Sequence, residues 1–152
     1  MARQVDFYVI GEASDAARLR LACRLAEQAF QDGRRVLAWA GSDGEAEAFD
    51  NLLWTFGDGS FVPHEPLDPA SEAPVQFTAS AQLPSQAAGF DLLLNLRPSP
   101  VPVDVPVARI VEVIDGDAQR RQEGRERFRA YRDSGVAPTH HNLDNESQIG
   151  NG

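Results

Sequence analysis

The feature that most constrains the fold is a regular alternation of short apolar runs with longer stretches of helical spacing. Residues 5–10 and 36–40 have the length and composition of strands that are buried in a sheet. Between them, residues 14–32 carry apolar side chains at intervals of three and four, which predicts a helix that ends before Gly33. A strand, a helix and a second strand in this order are typical of a parallel sheet with helices on its faces.

The rest of the chain continues the same alternation. Ser42 begins a capping box with Glu45, so we predict that a second helix starts there. A last helix is predicted over residues 117–133, where polar and apolar side chains again follow helical spacing. Four more strands are predicted between these helices, over residues 60–63, 75–78, 91–96 and 108–114.

These elements predict a single α/β domain of three layers over residues 1–135, a mostly parallel sheet with helices on both faces. Two proline-rich stretches, 65–74 and 97–106, are interpreted as surface connections within that domain. Residues 136–152 are polar and rich in asparagine and glycine, and we predict that they form a disordered tail.

The predicted order of elements is similar to that of nucleotide-binding folds, but the residues that bind nucleotides are missing. A dinucleotide site needs several glycines after the first strand, and Gly11 is alone there. A phosphate loop needs a lysine, and the sequence contains none. Cys23 lies among apolar residues of the first predicted helix, so we interpret it as a buried hydrophobe rather than a nucleophile. We therefore expect neither a catalytic site nor a cofactor.

Carboxylates at the end of the last predicted strand leave one enzymatic alternative. Ligands of α/β proteins bind at the carboxyl ends of strands, and Mg²⁺ prefers carboxylate oxygens, so Asp115 and Asp117 could serve a Mg²⁺-dependent enzyme. We favour a structural role for both, as caps of the last helix, because no phosphate-binding loop accompanies them. The three histidines lack the spacing of a zinc site, so no metal is expected.

The net charge of −9 argues against non-specific binding of the whole surface to DNA or to anionic lipid. No apolar run has the length of a membrane span, and the first residues carry no export signal, which together predict a cytoplasmic protein. The positive charge is nevertheless concentrated, because six of the 14 basic residues lie in the last predicted helix. They are Arg120, Arg121, Arg125, Arg127, Arg129 and Arg132.

Part of that helix forms a basic face. At helical spacing, Arg121, Arg125, Arg129 and Arg132 fall on one side, and Phe128 lies among them. Guanidinium groups bind carboxylates through two parallel hydrogen bonds, and an aromatic ring adds apolar contact. This face therefore suits an acidic peptide with apolar side chains. A solvated helix whose arginines pair with neighbouring glutamates explains the same spacing equally well.

A second candidate surface follows from an aromatic residue at the end of the second predicted helix. Trp54 lies off the apolar stripe of that helix, at the border of its buried face. Phe61 follows shortly after it. Tryptophan at such a border is either half-buried core or an anchor of a protein interface.

Four stretches of the sequence together resemble the chi subunit family of bacterial DNA polymerase III. They are V-D-F-Y-V-I, D-G-R-R-V-L-A-W-A, L-W-T-F-G-D-G-S-F-V-P-H and R-E-R-F-R-A-Y-R. The resemblance spans about residues 1 to 135. It implies a non-catalytic α/β subunit that is associated with the clamp loader, binds no cofactor, and reaches DNA only through its partners.

The resemblance also implies two protein partners. One is the acidic, hydrophobic C-terminal tail of single-stranded-DNA-binding protein, which would contact Arg121, Arg125, Phe128 and Arg129. The other is the psi subunit, which would contact Trp54 and Phe61. Phe128 departs from the family's usual tyrosine, so a hydrogen bond from a phenol is not expected at that position.

Overall fold

The computed structural model describes residues 1–57, 61–83 and 85–149. Across these residues the chain forms seven strands, three α-helices and two short 3-10 helices, Ser85–Gly89 and Glu146–Gln148. The strands are β1 (Gln4–Ile10), β2 (Val36–Trp39), β3 (His64–Pro66), β4 (Val75–Thr78), β5 (Leu92–Asn95), β6 (Arg109–Ile114) and β7 (Thr139–Leu143). The α-helices are α1 (Asp15–Gln31), α2 (Asp43–Thr55) and α3 (Ala118–Asp133). Within the described ranges no helix has the length and apolar character that crossing a membrane requires.

The strands form one sheet in the order β3-β4-β2-β5-β6-β1-β7, and every pairing between them is parallel. Helices α1 and α2 pack on one face of this sheet, where their apolar side chains join those of the strands in a buried core. Helix α3 packs on the other face, over a second core. The predicted fold class, a three-layer α/β domain with a parallel sheet, is therefore confirmed.

The helix boundaries follow from the capping residues that the sequence contains. The Ser14 hydroxyl accepts a hydrogen bond from a backbone amide of the first turn of α1, and Gly33, at a φ of 75°, ends that helix in the left-handed conformation that favours glycine. The Ser42 hydroxyl accepts from the Glu45 amide at 3.1 Å. Glu45 Oε1 in turn accepts from the Gly41 amide at 2.8 Å, so the predicted capping box is present with its return bond one residue earlier.

The strand predicted over residues 60–63 is wrong in position. Ser60 lies outside the described residues, and the strand that follows begins instead at His64. Pro63 has no N–H to donate to a neighbouring strand, so regular pairing starts after it. The strand is short and lies at the edge of the sheet, where Pro66 is tolerated because its outer side needs no donor.

The prediction of a disordered tail from residue 136 also differs from the structure. Strand β7 lies within that stretch and pairs in parallel with β1, from Asp6 opposite Thr139 to Ile10 opposite Leu143. Its polar side chains are compatible with an edge strand, because the backbone rather than a buried apolar face makes the contacts with the sheet. Residues 150–152 lie outside the described part of the chain.

A buried polar network attaches α3 to the sheet. Glu112 on β6 is fully buried and accepts hydrogen bonds from Arg127 Nε at 2.9 Å and from the Tyr131 hydroxyl at 2.6 Å, both on α3. It also accepts from Asn95 Nδ2 at 2.8 Å. Burial, together with the neighbouring Glu112 carboxylate, raises the pKa of Tyr131, so its hydroxyl remains a donor. This network fixes the height and rotation of α3 over the sheet.

Candidate functional site

The basic face of α3 forms one wall of a groove with a volume of about 610 Å³. Of the predicted basic face, Arg121, Arg125, Phe128 and Arg129 line the groove, whereas Arg132, predicted on the same face, does not. The floor and the opposite wall come from β1, β6 and β7. The residues that line the groove are Phe7, Val9, Ile10, Gly11, Ile114, Arg121, Gly124, Arg125, Phe128, Arg129, His140, Asn142 and Leu143.

In the described residues, no carboxylate forms an ion pair with any of the three arginines of this wall. Arg121 is oriented by backbone oxygens, since its Nε donates to Asp115 O at 3.2 Å and its Nη2 to Ile10 O at 3.4 Å. Arg125 is exposed, and its Nη1 donates to the neutral Gln122 side chain at 3.1 Å. Arg129 is exposed as well. Among the ion pairs of the described residues, none involves these three arginines, so their positive charge is available to a ligand.

Phe128 connects the charged wall with the apolar floor. Its ring lies 5.2 Å from that of Phe7 and 6.4 Å from that of His140, centroid to centroid, and it is half-buried. One side of the ring therefore packs on the second core, while the rest contributes apolar surface beside the arginines. An apolar side chain entering the groove would contact this ring and the floor together.

Position 124 of the helix is a glycine where α3 passes closest to the Ile114 side chain. A Cβ atom at Gly124 would stand 2.3 Å from Ile114 Cδ1, a distance that real Cβ contacts do not reach. The amino end of the helix is fixed by Asp117, whose carboxylate accepts from the Arg120 amide at 2.9 Å. The last turns are fixed by the network around Glu112. The arginines that precede and follow Gly124 are thus held at a defined height above the floor.

The carboxylates considered for a magnesium site have structural partners instead. Asp115 is fully buried and accepts two hydrogen bonds from Arg120, each of 2.7 Å. Burial alone would raise the pKa of Asp115, but the bonds from Arg120 outweigh it and hold the pKa below its usual value. Asp117 caps α3, as predicted, whereas Asp115, predicted as a second cap, pairs with the Arg120 side chain instead. The described residues contain no group of three or more histidine, cysteine, aspartate or glutamate side chains that could hold a metal ion.

Cys23 is fully buried on α1, where it packs in the first core. Burial raises the pKa of its thiol well above the usual value, so the reactive thiolate is strongly disfavoured. The interpretation of Cys23 as a buried hydrophobe is confirmed.

The second predicted surface is an exposed pair of aromatic rings, Trp54 and Phe61, which we call the aromatic patch. Trp54 is 58% exposed and Phe61 is 62% exposed. Their ring centroids are 5.8 Å apart, and Trp54 also contacts the edge of the buried His64 ring at 4.6 Å. The patch lies beside β3, at one edge of the sheet, and the groove lies beside β7, at the other. A protein bound at one surface would therefore leave the other free.

Fold and surfaces together define a class: a parallel α/β domain with a basic, apolar-floored groove at one sheet edge and exposed aromatic rings at the other. The chain belongs to the chi subunit family of DNA polymerase III. The model of the family described as "DNA polymerase III chi subunit, HolC" matches residues 1–139. Members of that family are accessory subunits of the replicative polymerase.

Individual relatives lead to the same family. The chain is 36% identical to DNA polymerase III subunit chi of Pseudomonas aeruginosa over 141 residues, which cover 92% of this chain and 96% of the relative. It is 30% identical to the subunit of the same name from Escherichia coli K12 over 118 residues, 76% of this chain and 79% of the relative. The Haemophilus influenzae subunit is 27% identical over 132 residues.

Proposed function

We propose that this chain is a non-catalytic, cytoplasmic subunit of DNA polymerase III that joins the psi subunit of the clamp loader to the C-terminal tail of single-stranded-DNA-binding protein. The observation that carries the proposal is the groove beside α3, which combines arginines without ion pairs and an apolar floor. Membership of the chi family supports the setting in DNA replication. The aromatic patch supports a second, independent partner.

The chemistry of the groove fits a peptide that is acidic and also carries apolar side chains. Arg121, Arg125 and Arg129 can bind side-chain carboxylates or a terminal carboxylate, each through charge-assisted hydrogen bonds. The floor beside them is lined by Phe7, Val9, Ile10 and Ile114. A purely acidic ligand would leave this floor unused, and a purely apolar ligand would leave the arginines without partners. The C-terminal tail of single-stranded-DNA-binding protein has both properties.

The aromatic patch fits the second partner of the proposed bridge. Exposed tryptophan and phenylalanine rings in contact with each other are the side chains that most often anchor protein interfaces. Because the patch and the groove lie at opposite edges of the sheet, the psi subunit and the tail can bind at the same time. A bridging subunit requires that arrangement.

Replacing Arg125 with alanine is expected to weaken binding of the tail peptide about tenfold. Hydrogen bonds to charged groups contribute roughly 1.5–3 kcal/mol each, and about 1.4 kcal/mol corresponds to a factor of ten. The fold should be almost unchanged, because Arg125 is exposed and alanine favours helix. The measurement is calorimetric titration of a synthetic peptide with the tail sequence, at low and at physiological salt. Binding should weaken with salt, since a Debye length of about 8 Å screens exposed charges.

Arg132→Ala provides the matched control for that titration. Arg132 is an exposed arginine of the same helix, but it does not line the groove. The Arg132→Ala variant should lose little affinity for the peptide in the same assay. The small loss should come from the change in net charge alone. If Arg125→Ala and Arg132→Ala both bind like the unmodified chain, the arginines only solvate the helix and the assignment of the groove fails.

The isolated protein is expected to bind single-stranded DNA weakly, and the binding should disappear as salt is raised. The net charge is −9, and the densest run of basic residues lies on a single helix, so the proposed route to DNA is through the partner protein. Fluorescence anisotropy with a labelled oligonucleotide measures this directly. Submicromolar affinity at physiological salt would contradict the proposal that DNA is reached only indirectly.

A further inference from the structure

We infer that β7 forms the second wall of the peptide site, so that a tail peptide held by the arginines of α3 also contacts His140 and Asn142. This inference rests on the proposed function and adds residues to it. The family match ends at residue 139, so all of β7 except Thr139 lies outside the matched residues. The inference about the two wall residues therefore rests on the structure of this chain.

The register of β7 determines which of its side chains face the ligand. His140 lies opposite Phe7 and Asn142 lies opposite Val9 in the parallel pairing with β1. Phe7 and Val9 belong to the floor of the groove. Because alternate residues of a strand point to the same face, His140 and Asn142 project on the α3 side of the sheet, above that floor. His140 already contacts the Phe128 ring across the groove.

His141, between His140 and Asn142, holds β7 in place from the other face of the sheet. His141 projects to the opposite face, where its Nε2 lies 3.0 Å from Asp6 Oδ1 and its ring stacks on Tyr8 at 4.5 Å between centroids. Asp6 is buried and also accepts from Arg109 Nε at 2.6 Å, so it is itself held in place. Hydrogen bonds from His141 and Arg109 outweigh the effect of burial and lower the pKa of Asp6. Asp6 and His141 are positioning residues for β7.

A second attachment lies just beyond the strand. Glu146, in the 3-10 helix that follows β7, accepts from Arg20 Nε on α1 at 2.9 Å. Leu143 and Ile149 pack against the first core on either side of that ion pair. Contacts within β7 and in the 3-10 helix after it thus hold this wall in place. The groove therefore has a defined width.

The two walls offer different chemistry to the ligand. Helix α3 presents positive charge, which suits carboxylates, whereas Asn142 presents an amide that both donates and accepts, and His140 an imidazole. Side chains that form hydrogen bonds in this way suit the backbone N–H and C=O groups of a peptide. An extended peptide lying between the walls would direct its carboxylates to α3, its backbone polar groups to β7 and its apolar side chains to the floor.

The test is titration of the synthetic tail peptide into the full chain and into the double variant His140→Ala/Asn142→Ala. Both side chains are exposed, so the variant should melt like the unmodified protein. We expect affinity to fall at least about fivefold, the lower end of the effect of losing two hydrogen bonds. Asn51→Ala, an exposed asparagine of α2 far from the groove, is the matched control and should bind normally.

Positioning by His141 is tested with His141→Ala and His141→Gln. The alanine variant should show faster amide hydrogen exchange over Thr139–Leu143 and weaker binding of the peptide. Glutamine can still donate to Asp6, so the glutamine variant should retain much of the exchange protection and of the peptide affinity. If the double variant binds like the unmodified chain while Arg125→Ala does not, β7 is no part of the site and this inference is wrong. If the unmodified chain fails to bind the peptide, the proposed function itself fails, and this inference with it.

Discussion

Replacing Glu112 with alanine is expected to reduce the free energy of unfolding by about 3–5 kcal/mol. The carboxylate is fully buried and accepts from Arg127, Asn95 and Tyr131. Without it, the Arg127 guanidinium remains buried without its counter-charge, and the Tyr131 and Asn95 donors lose their common acceptor. At about 2–4 °C per kcal/mol for a domain of this size, the melting temperature should fall by roughly 6–20 °C.

Urea denaturation followed by circular dichroism measures this change, with Glu126→Ala as the matched control. Glu126 is an exposed glutamate of α3, so its removal should change stability by no more than about 0.5 kcal/mol. A loss below about 1 kcal/mol for Glu112→Ala would mean that water replaces the carboxylate at little cost. The attachment of α3 would then depend on apolar packing alone. Because α3 carries the arginine wall, the same variant should also bind the tail peptide more weakly.

Replacing Trp54 with alanine is expected to weaken binding of the psi subunit by about 2 kcal/mol or more, which corresponds to roughly 30-fold. The ring is 58% exposed and lies tilted beside Phe61, so its removal opens the centre of the aromatic patch without leaving a cavity in either core. The melting temperature should therefore change little. Phe61→Ala should have a similar effect on the same partner. The affinity is measured by immobilising the chain on a surface and titrating it with purified psi subunit.

The Trp54 and Arg125 variants form a reciprocal pair of controls for each other. Trp54→Ala should keep its full affinity for the tail peptide, and Arg125→Ala should keep its full affinity for the psi subunit. Loss of both partners in Trp54→Ala, accompanied by a lower melting temperature, would show that the aromatic rings serve the core rather than an interface.

Sequence reasoning was most successful where the determinants are local. Ser42 and Glu45 lie three residues apart, so their capping bond could be predicted from spacing alone. The shared face of Arg121 and Arg125 likewise follows from helical geometry. The sequence could not show that these arginines lack ion pairs, whereas Arg120, in the same basic run, is committed to a buried carboxylate. That distinction depends on which residues of the folded sheet lie under each position of the helix.

The groove floor and its second wall could not be predicted for a different reason. Val9 and Ile114 are distant in sequence and become neighbours only through the parallel pairing of β1 with β6. Strand β7 has no apolar alternation, because it is an edge strand with polar side chains, and its composition is that of a tail. A side-chain bond that attaches it, between His141 and Asp6, connects residues 135 positions apart. The composition of either segment alone gives no indication of that contact.

The position of β1 in the sheet also governs how the chain can fold as it is synthesised. Strand β1 pairs only with β6 and β7 among the described strands, and both are translated long after it. While the ribosome adds the intervening residues, the nascent chain carries an apolar strand with two unsatisfied edges, the kind of segment that aggregates or recruits chaperones. Closure of the sheet around β1 is therefore a late event, and parallel pairing over such a separation makes it slow. The groove has one wall on α3 and the other on β7, so it is complete only after both have been translated.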